Sequence, residues 1–226
     1  MLILLETKET FFVFKVSLVH LRLFKFKILK DTILEKASDM FLNLGFKSVT
    51  MDDIASELGI SKKTIYAHYS NKTILVESAT FYLFDKICSG IEDITAAQFN
   101  PIEELFEIKS YAIKNLKDEK SSPQYQLQKY YPKLYKILIA KQFEYMQTSV
   151  TENLEKGISQ GLYRPEIDTQ FIGRLYFLGM VGIKNPELFP RATDQMNALV
   201  TDYLEYHLRA IVTEKGLQLL TNYLQK

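Results

Sequence analysis

Ala55, then Gly59 four residues on, then Ile65 six beyond that, is a spacing that few local folds satisfy. A small residue at 55 lets a second helix cross close to the first. A glycine at 59 permits a positive φ in a sharp turn. A branched apolar residue at 65 fills the wedge between the two helices. Together they describe a helix-turn-helix, whose short connection holds its two helices at a steep angle. The flanks agree with this. Thr50, with Asp53 three residues later, resembles a capping box in which aspartate stands in for glutamate. Ile54, Ala55 and Leu58 make a short apolar face; Ser61 caps the next piece, from which Ile65 and Tyr69 point inward. Upstream, Leu29, Ile33, Ala37, Met40, Phe41 and Leu44 recur at spacings of three and four, and Gly45 supplies a left-handed stop. Downstream, Ser70 reads as the cap of a long helix from about Asn71 into the low 90s, with Leu75, Ser78, Ala79, Tyr82, Leu83 and Ile87 as its buried stripe.

The rest of the chain also reads as helix. Only 9 Gly and 6 Pro interrupt 226 residues rich in Leu, Ile, Lys and Glu, which favours long helices over short strands. Past Asn100-Pro101 the apolar periodicity predicts helices near 101–118, 123–138, 140–160, 167–183, 192–212 and 214–225. Most are separated by Ser121-Ser122-Pro123, by Gly161 to Pro165 and by Asn185-Pro186 to Pro190. The expected fold class is therefore all-α. Three domain spans follow: an N-terminal extension over 1–24, a helix-turn-helix domain over 25–72 with a connecting helix at 71–93, and a second helical domain over 94–226. A single cysteine, Cys88, excludes an internal disulfide framework and suits a reducing cytoplasm.

Residues 1–24 fit no targeting pattern. Lys15, His20 and Arg22 interrupt the apolar run from Thr10 to Phe24, so neither a membrane span nor a signal peptide is expected. Three placements stay open: a helix or strand packed on the body, a poorly ordered extension read from an upstream start codon, or a membrane-surface contact. A membrane partner is the least expected of these.

The formal charge of +1 means that any affinity for nucleic acid must come from locally placed cations. They are present. Lys62, Lys63, Thr64, Tyr66 and His68 occupy the positions that Ile65 and Tyr69 leave free on the second helix, and such side chains bind phosphates or base edges. Lys72 starts the next helix, where its ammonium and the helix N-terminus can share one phosphate. Lys25, Lys27 and Lys30 flank the first helix, within reach of the backbone or a minor groove. The competing reading is a helical hairpin with a solvated lysine face.

Residues 28 to about 85 resemble the DNA-binding domain of the TetR family. The resemblance is carried by Ile33, Ala37 and Phe41, by Gly45-Phe46 leading to Val49-Thr50, and by Asp53-Ile54-Ala55 to Leu58-Gly59-Ile60-Ser61. It continues through Thr64-Ile65-Tyr66-Ala67-His68-Tyr69-Ser70-Asn71-Lys72 and Ile74-Leu75. It implies a sequence-specific transcriptional regulator, a repressor released from a palindromic operator by an effector. Thr50, Tyr66 and Lys72 match phosphate-contacting positions, and Lys62, Lys63, Thr64, Ala67 and His68 match positions that read or approach bases. The alternative is a dimeric helical interaction module that does not bind DNA.

The same resemblance implies a C-terminal domain that dimerises through its last two long helices. Phe171, Leu175, Leu178 and Gly179 would face Leu199, Tyr203, Tyr206 and Ile211 across a homodimer seam, with Gly173, Gly179 and Gly182 allowing close approach. It also implies a small apolar or aromatic effector, for which Tyr111, Tyr131, Phe143, Met146 and Tyr176 are the candidate contacts. Each of them serves a plain core equally well. No cofactor or metal is expected, because His20, His68 and His207 lie far apart and no Cys/His pair has ligand spacing. Catalysis has little support. Gly179-Met180-Val181-Gly182 lacks a third glycine, and Tyr82 and Lys86 form an isolated Y-x-x-x-K on a helix. The adjacent pairs Asp52-Asp53 and Glu103-Glu104 read as capping or solvated charge.

Overall fold

The computed structural model describes residues 8–116, 123–190 and 196–225, with side chains from Leu23 onward. These residues form ten α-helices: α1 Lys8–Leu44, α2 Met51–Leu58, α3 Lys62–His68, α4 Lys72–Ala96 and α5 Pro101–Asn115, then α6 Pro123–Tyr130, α7 Pro132–Ser159, α8 Thr169–Gly182, α9 Met196–Ile211 and α10 Glu214–Leu224. No strand occurs among the described residues, only an isolated bridge between Tyr163 and Val212.

The helix ends follow local chemistry. Thr50 and Asp53 cap α2 reciprocally: the Thr50 amide donates to Asp53 Oδ2 at 2.8 Å, and the Asp53 amide donates to Thr50 Oγ1 at 3.2 Å. Gly59 closes α2 at φ 63°, the left-handed turn that its place in the motif requires. Ser61 caps α3 by accepting from the Thr64 amide at 3.0 Å. For α4 the cap is Asn71 rather than Ser70. Its Oδ1 accepts from the Ile74 amide at 3.0 Å, so the helix starts at Lys72.

Two helices differ from the pattern read in the sequence. The first continues upstream, as one unbroken α1 from Lys8, through most of the presumed extension; residues 1–7 lie outside the described residues. Leu23, Phe24, Phe26 and Ile28 are exposed, so the burial that builds α1 into the core begins near Leu29. Farther on, the predicted break near 139 is absent and lies instead at Tyr131-Pro132. Proline has no N–H to continue α6 and pushes the preceding residue out of the α region. It sits comfortably at the first position of α7, which then runs unbroken to Ser159.

Two main cores result. One joins Ile33, Ala37, Phe41, Ile54, Ala55, Ile65, Tyr69 and Leu75 of α1–α4 to Leu127, Leu134 and Leu138 of α6 and α7. The other gathers Ile102, Phe106, Leu154, Tyr163, Tyr176, Leu204, Leu208 and Leu220 from α5 and α7–α10. Inside the second lies a polar network where solvated charge was expected. Glu104 is buried; its carboxylate accepts from Asn153 Nδ2 at 2.7 Å and from Lys156 Nζ at 2.7 Å. The Tyr163 hydroxyl donates to Asn153 Oδ1 at 3.2 Å. Asn100 caps α5, its Oδ1 accepting from the Ile102 and Glu103 amides at 3.1 Å, and its Nδ2 donates to the Glu103 carboxylate.

Candidate nucleic-acid interface and effector cavity

The helix-turn-helix core is assembled as its spacing requires. Ile65 and Ile54 are fully buried, Ala55 is buried between the helices, and Tyr69 closes the base of the wedge, its hydroxyl donating to the Lys30 carbonyl at 3.3 Å. With α3 anchored from that side, its other side faces outward. Lys62, Lys63, Tyr66 and Ala67 are exposed, and Thr64 is half-buried with its hydroxyl 2.8 Å from that of Ser61. Thr50 is exposed at the start of α2. Lys25, Lys27 and Lys30 stand exposed along α1, held on helical backbone rather than carried on a free arm.

The cations differ in how they are engaged. Lys62 pairs with Asp52 of α2 at 2.7 Å, and that bond raises its pKa. Lys72 is half-buried and donates to the Lys47 carbonyl at 3.3 Å; burial lowers its pKa, opposed by the nearby Asp53 charge. Lys63 makes no ion pair or hydrogen bond among the described residues, which leaves its ammonium available to an incoming anion. His68 is half-buried and packs against α1. Its ring lies 3.9 Å from that of Phe26 on α1, tilted by 33°, and Nδ1 is buried without a partner among the described residues. Burial, then the Lys30 charge, lowers its pKa.

The second feature is a cavity of about 220 Å³ where the two cores meet. Ser38, Phe41 and Leu42 of α1 and Ala79 to Ile91 of α4 form part of its wall; α5, α6, α7 and α8 supply the rest. Of the predicted contacts Met146 and Tyr176 line it, and three do not. Tyr111 packs on Gly90 and donates to the Lys86 carbonyl at 3.2 Å. Tyr131 packs against the core of α1–α4, and Phe143 lies edge-on to Phe177 with Arg174 over its face. Aromatic richness does not tell which way a ring faces. The lining also includes Tyr145, one of the aromatic residues of this stretch, together with Phe84, Lys109, Gln142, Ser149 and Phe177, which the sequence reading did not single out. Gln142, Tyr145, Met146 and Ser149 do recur at three and four along α7, a face of mixed polarity that periodicity could have revealed. Tyr145 is fixed by donating to the Cys88 carbonyl at 3.0 Å, and burial pushes its pKa up to about 12.

The presumed dimer seam divides. Phe171, Leu175 and Leu178 of α8 and Tyr206 of α9 are exposed, Tyr206 by 73%. Ile211 belongs to the protomer's own core, and Tyr203 donates to the Leu175 and Tyr176 carbonyls. Gly179 makes its close approach to that Tyr203 ring, within the same chain.

Residues 33–79 match the family model described as bacterial regulatory proteins, tetR family. The chain is 24% identical over 152 residues to the HTH-type transcriptional repressor KstR2 of Mycolicibacterium smegmatis, covering 64% of this chain and 72% of that protein. It is 31% identical over 149 residues to the uncharacterized HTH-type transcriptional regulator YdeS of Bacillus subtilis, covering 61% and 69%. A TetR-family transcriptional regulator from Agrobacterium tumefaciens shares the fold, with a TM-score of 0.64 at 18% identity over 83% of this chain and 100% of that one.

Proposed function

The chain belongs to the TetR family of bacterial regulatory proteins, and from that premise we propose that it is a dimeric, DNA-binding transcriptional repressor released from its operator by a small molecule. The surface of α3 carries this reading. Lys63, Tyr66 and Ala67 stand exposed on a helix whose opposite face, Ile65 and Tyr69, is fully sequestered. A helix anchored in this way can enter a major groove, its lysines and hydroxyls meeting phosphates and base edges. Thr50 and Lys72, at the starts of α2 and α4, would clasp the flanking backbone through side chains and helix N-termini.

The exposed apolar row of Phe171, Leu175 and Leu178, with Tyr206 beside it, fits pairing of α8 and α9 with the same helices of a second copy. Two α3 helices would then reach successive major grooves about 34–36 Å apart. The cavity bordered by both α1 and the C-terminal helices gives an effector direct contact with the element that carries the helix-turn-helix. Release follows if the effector binds more tightly to a dimer whose α3 separation is wrong for the operator.

Sequence selection from a random duplex pool at moderate salt tests the reading. A palindrome with half-sites about one turn apart is the expected outcome, and Tyr66→Ala should weaken binding to it while leaving the melting temperature in place. A folded protein that selects no motif, or a Tyr66→Ala variant that binds normally, overturns the assignment of α3.

A further inference from the structure

The effector cavity is apolar over most of its wall but not neutral. Lys109 of α5 and Lys184 beyond α8 border it, and no aspartate or glutamate does so among the described residues. Lys109 has no ion pair and no hydrogen bond among those residues. Burial lowers its pKa with no counter-charge to oppose the effect. A half-buried ammonium at the border of an apolar chamber is costly unless an anion meets it. The Tyr176 hydroxyl, also in the wall, carries no hydrogen bond among the described residues. At about 220 Å³ the chamber exceeds the roughly 150 Å³ that admits a benzene ring.

We propose that the effector is a small amphipathic organic acid whose apolar body fills this cavity and whose carboxylate pairs with Lys109. The inference rests on the reading of the cavity as an effector site. A separate cleft, sharing Phe84, Tyr145 and Ser149 with the cavity, is edged by three carboxylates, Glu92, Glu144 and Glu152, against a single lysine, Lys141. A carboxylate is repelled there and an organic cation is drawn in, so head-group charge decides which chamber a ligand prefers.

The probes are octanoate, octan-1-ol and octyltrimethylammonium, which share one tail and differ in charge. Calorimetric titration of the full-length protein should show octanoate binding more tightly than either of the others. Lys109→Met keeps the length and apolar character of the stem; it should weaken octanoate at least about tenfold and leave octan-1-ol unchanged. Lys109→Arg should retain the preference for the acid. Absence of octanoate binding, equal or tighter binding of the alcohol or the cation, or an unaltered octanoate affinity in Lys109→Met each overturns the proposal. A gel shift on the selected duplex keeps the two readings apart. A protein that binds its operator and ignores octanoate loses this inference alone. One that binds octanoate through Lys109 yet selects no duplex keeps it and loses the regulator reading.

Discussion

His207 should make the protein acid-sensitive by an amount the structure sets. It lies on α9, only 7% exposed, edge-on to the Tyr176 ring with centroids 4.9 Å apart, and its Nε2 has no partner. Burial lowers its pKa from 6.5 to about 4. Above the unfolded value both states hold a neutral imidazole, and the group is silent. As pH falls below 6.5 the unfolded chain takes up the proton and the folded chain does not, so stability is lost until the folded pKa is passed. The full gap amounts to roughly 3 kcal/mol per protomer, of which about 2 kcal/mol is lost by pH 5. For a chain of this length that lowers the melting temperature by about 4–8 °C. The assay is circular-dichroism melting at one protein concentration, near pH 7.5 and pH 5, for the wild type and for His207→Phe. Phenylalanine keeps a ring against Tyr176 and removes the proton site, and the titration of carboxylates cancels in the comparison. Equal losses in the two proteins would refute the reasoning, because the acid sensitivity would then arise elsewhere.

Glu104→Leu removes the carboxylate that Asn153 and Lys156 share, leaving the amide with the Pro101 carbonyl alone and the ammonium with the Phe99 carbonyl and no counter-charge. With Lys156 29% exposed, the cost should lie near the lower end of the range for broken buried pairs, about 3 kcal/mol, measured by urea denaturation. Gly90→Ala drives a methyl group into the Tyr111 ring where α4 and α5 meet, and should cost about 1–3 kcal/mol in the same experiment. Asp52→Asn frees Lys62 from its partner. Duplex affinity at low salt should rise and the salt slope steepen by about one, with no change in melting temperature.

The DNA-binding end was legible because its determinants are local. Caps, a turn glycine and a wedge residue act within a few positions of one another, so Thr50, Gly59, Ser61 and Ile65 could be placed by spacing alone. The Tyr131-Pro132 break was equally local and was overlooked because apolar periodicity runs through it. The remaining surprises depend on distant partners. Nothing near Glu104 in sequence announces Asn153 or Lys156, about fifty positions away, and nothing near His68 announces Phe26. The cavity is the extreme case, since its wall draws on six helices. Periodicity marks a ring as inward-facing; only the packing decides whether it meets another ring, as Phe143 meets Phe177, or borders open space, as Tyr145 does.

The wall shared by α1 and α4 with the C-terminal helices sets a thermodynamic obligation. If a molecule in the cavity lowers operator affinity by some factor, the operator lowers the affinity of that molecule by the same factor. DNA-bound protein would then be the poorer sensor, and the surplus free in the cell would capture effector first. Each gene copy held by this protein would therefore answer only after the unbound pool had been loaded, so the concentration at which the gene switches would depend on how much protein the cell makes.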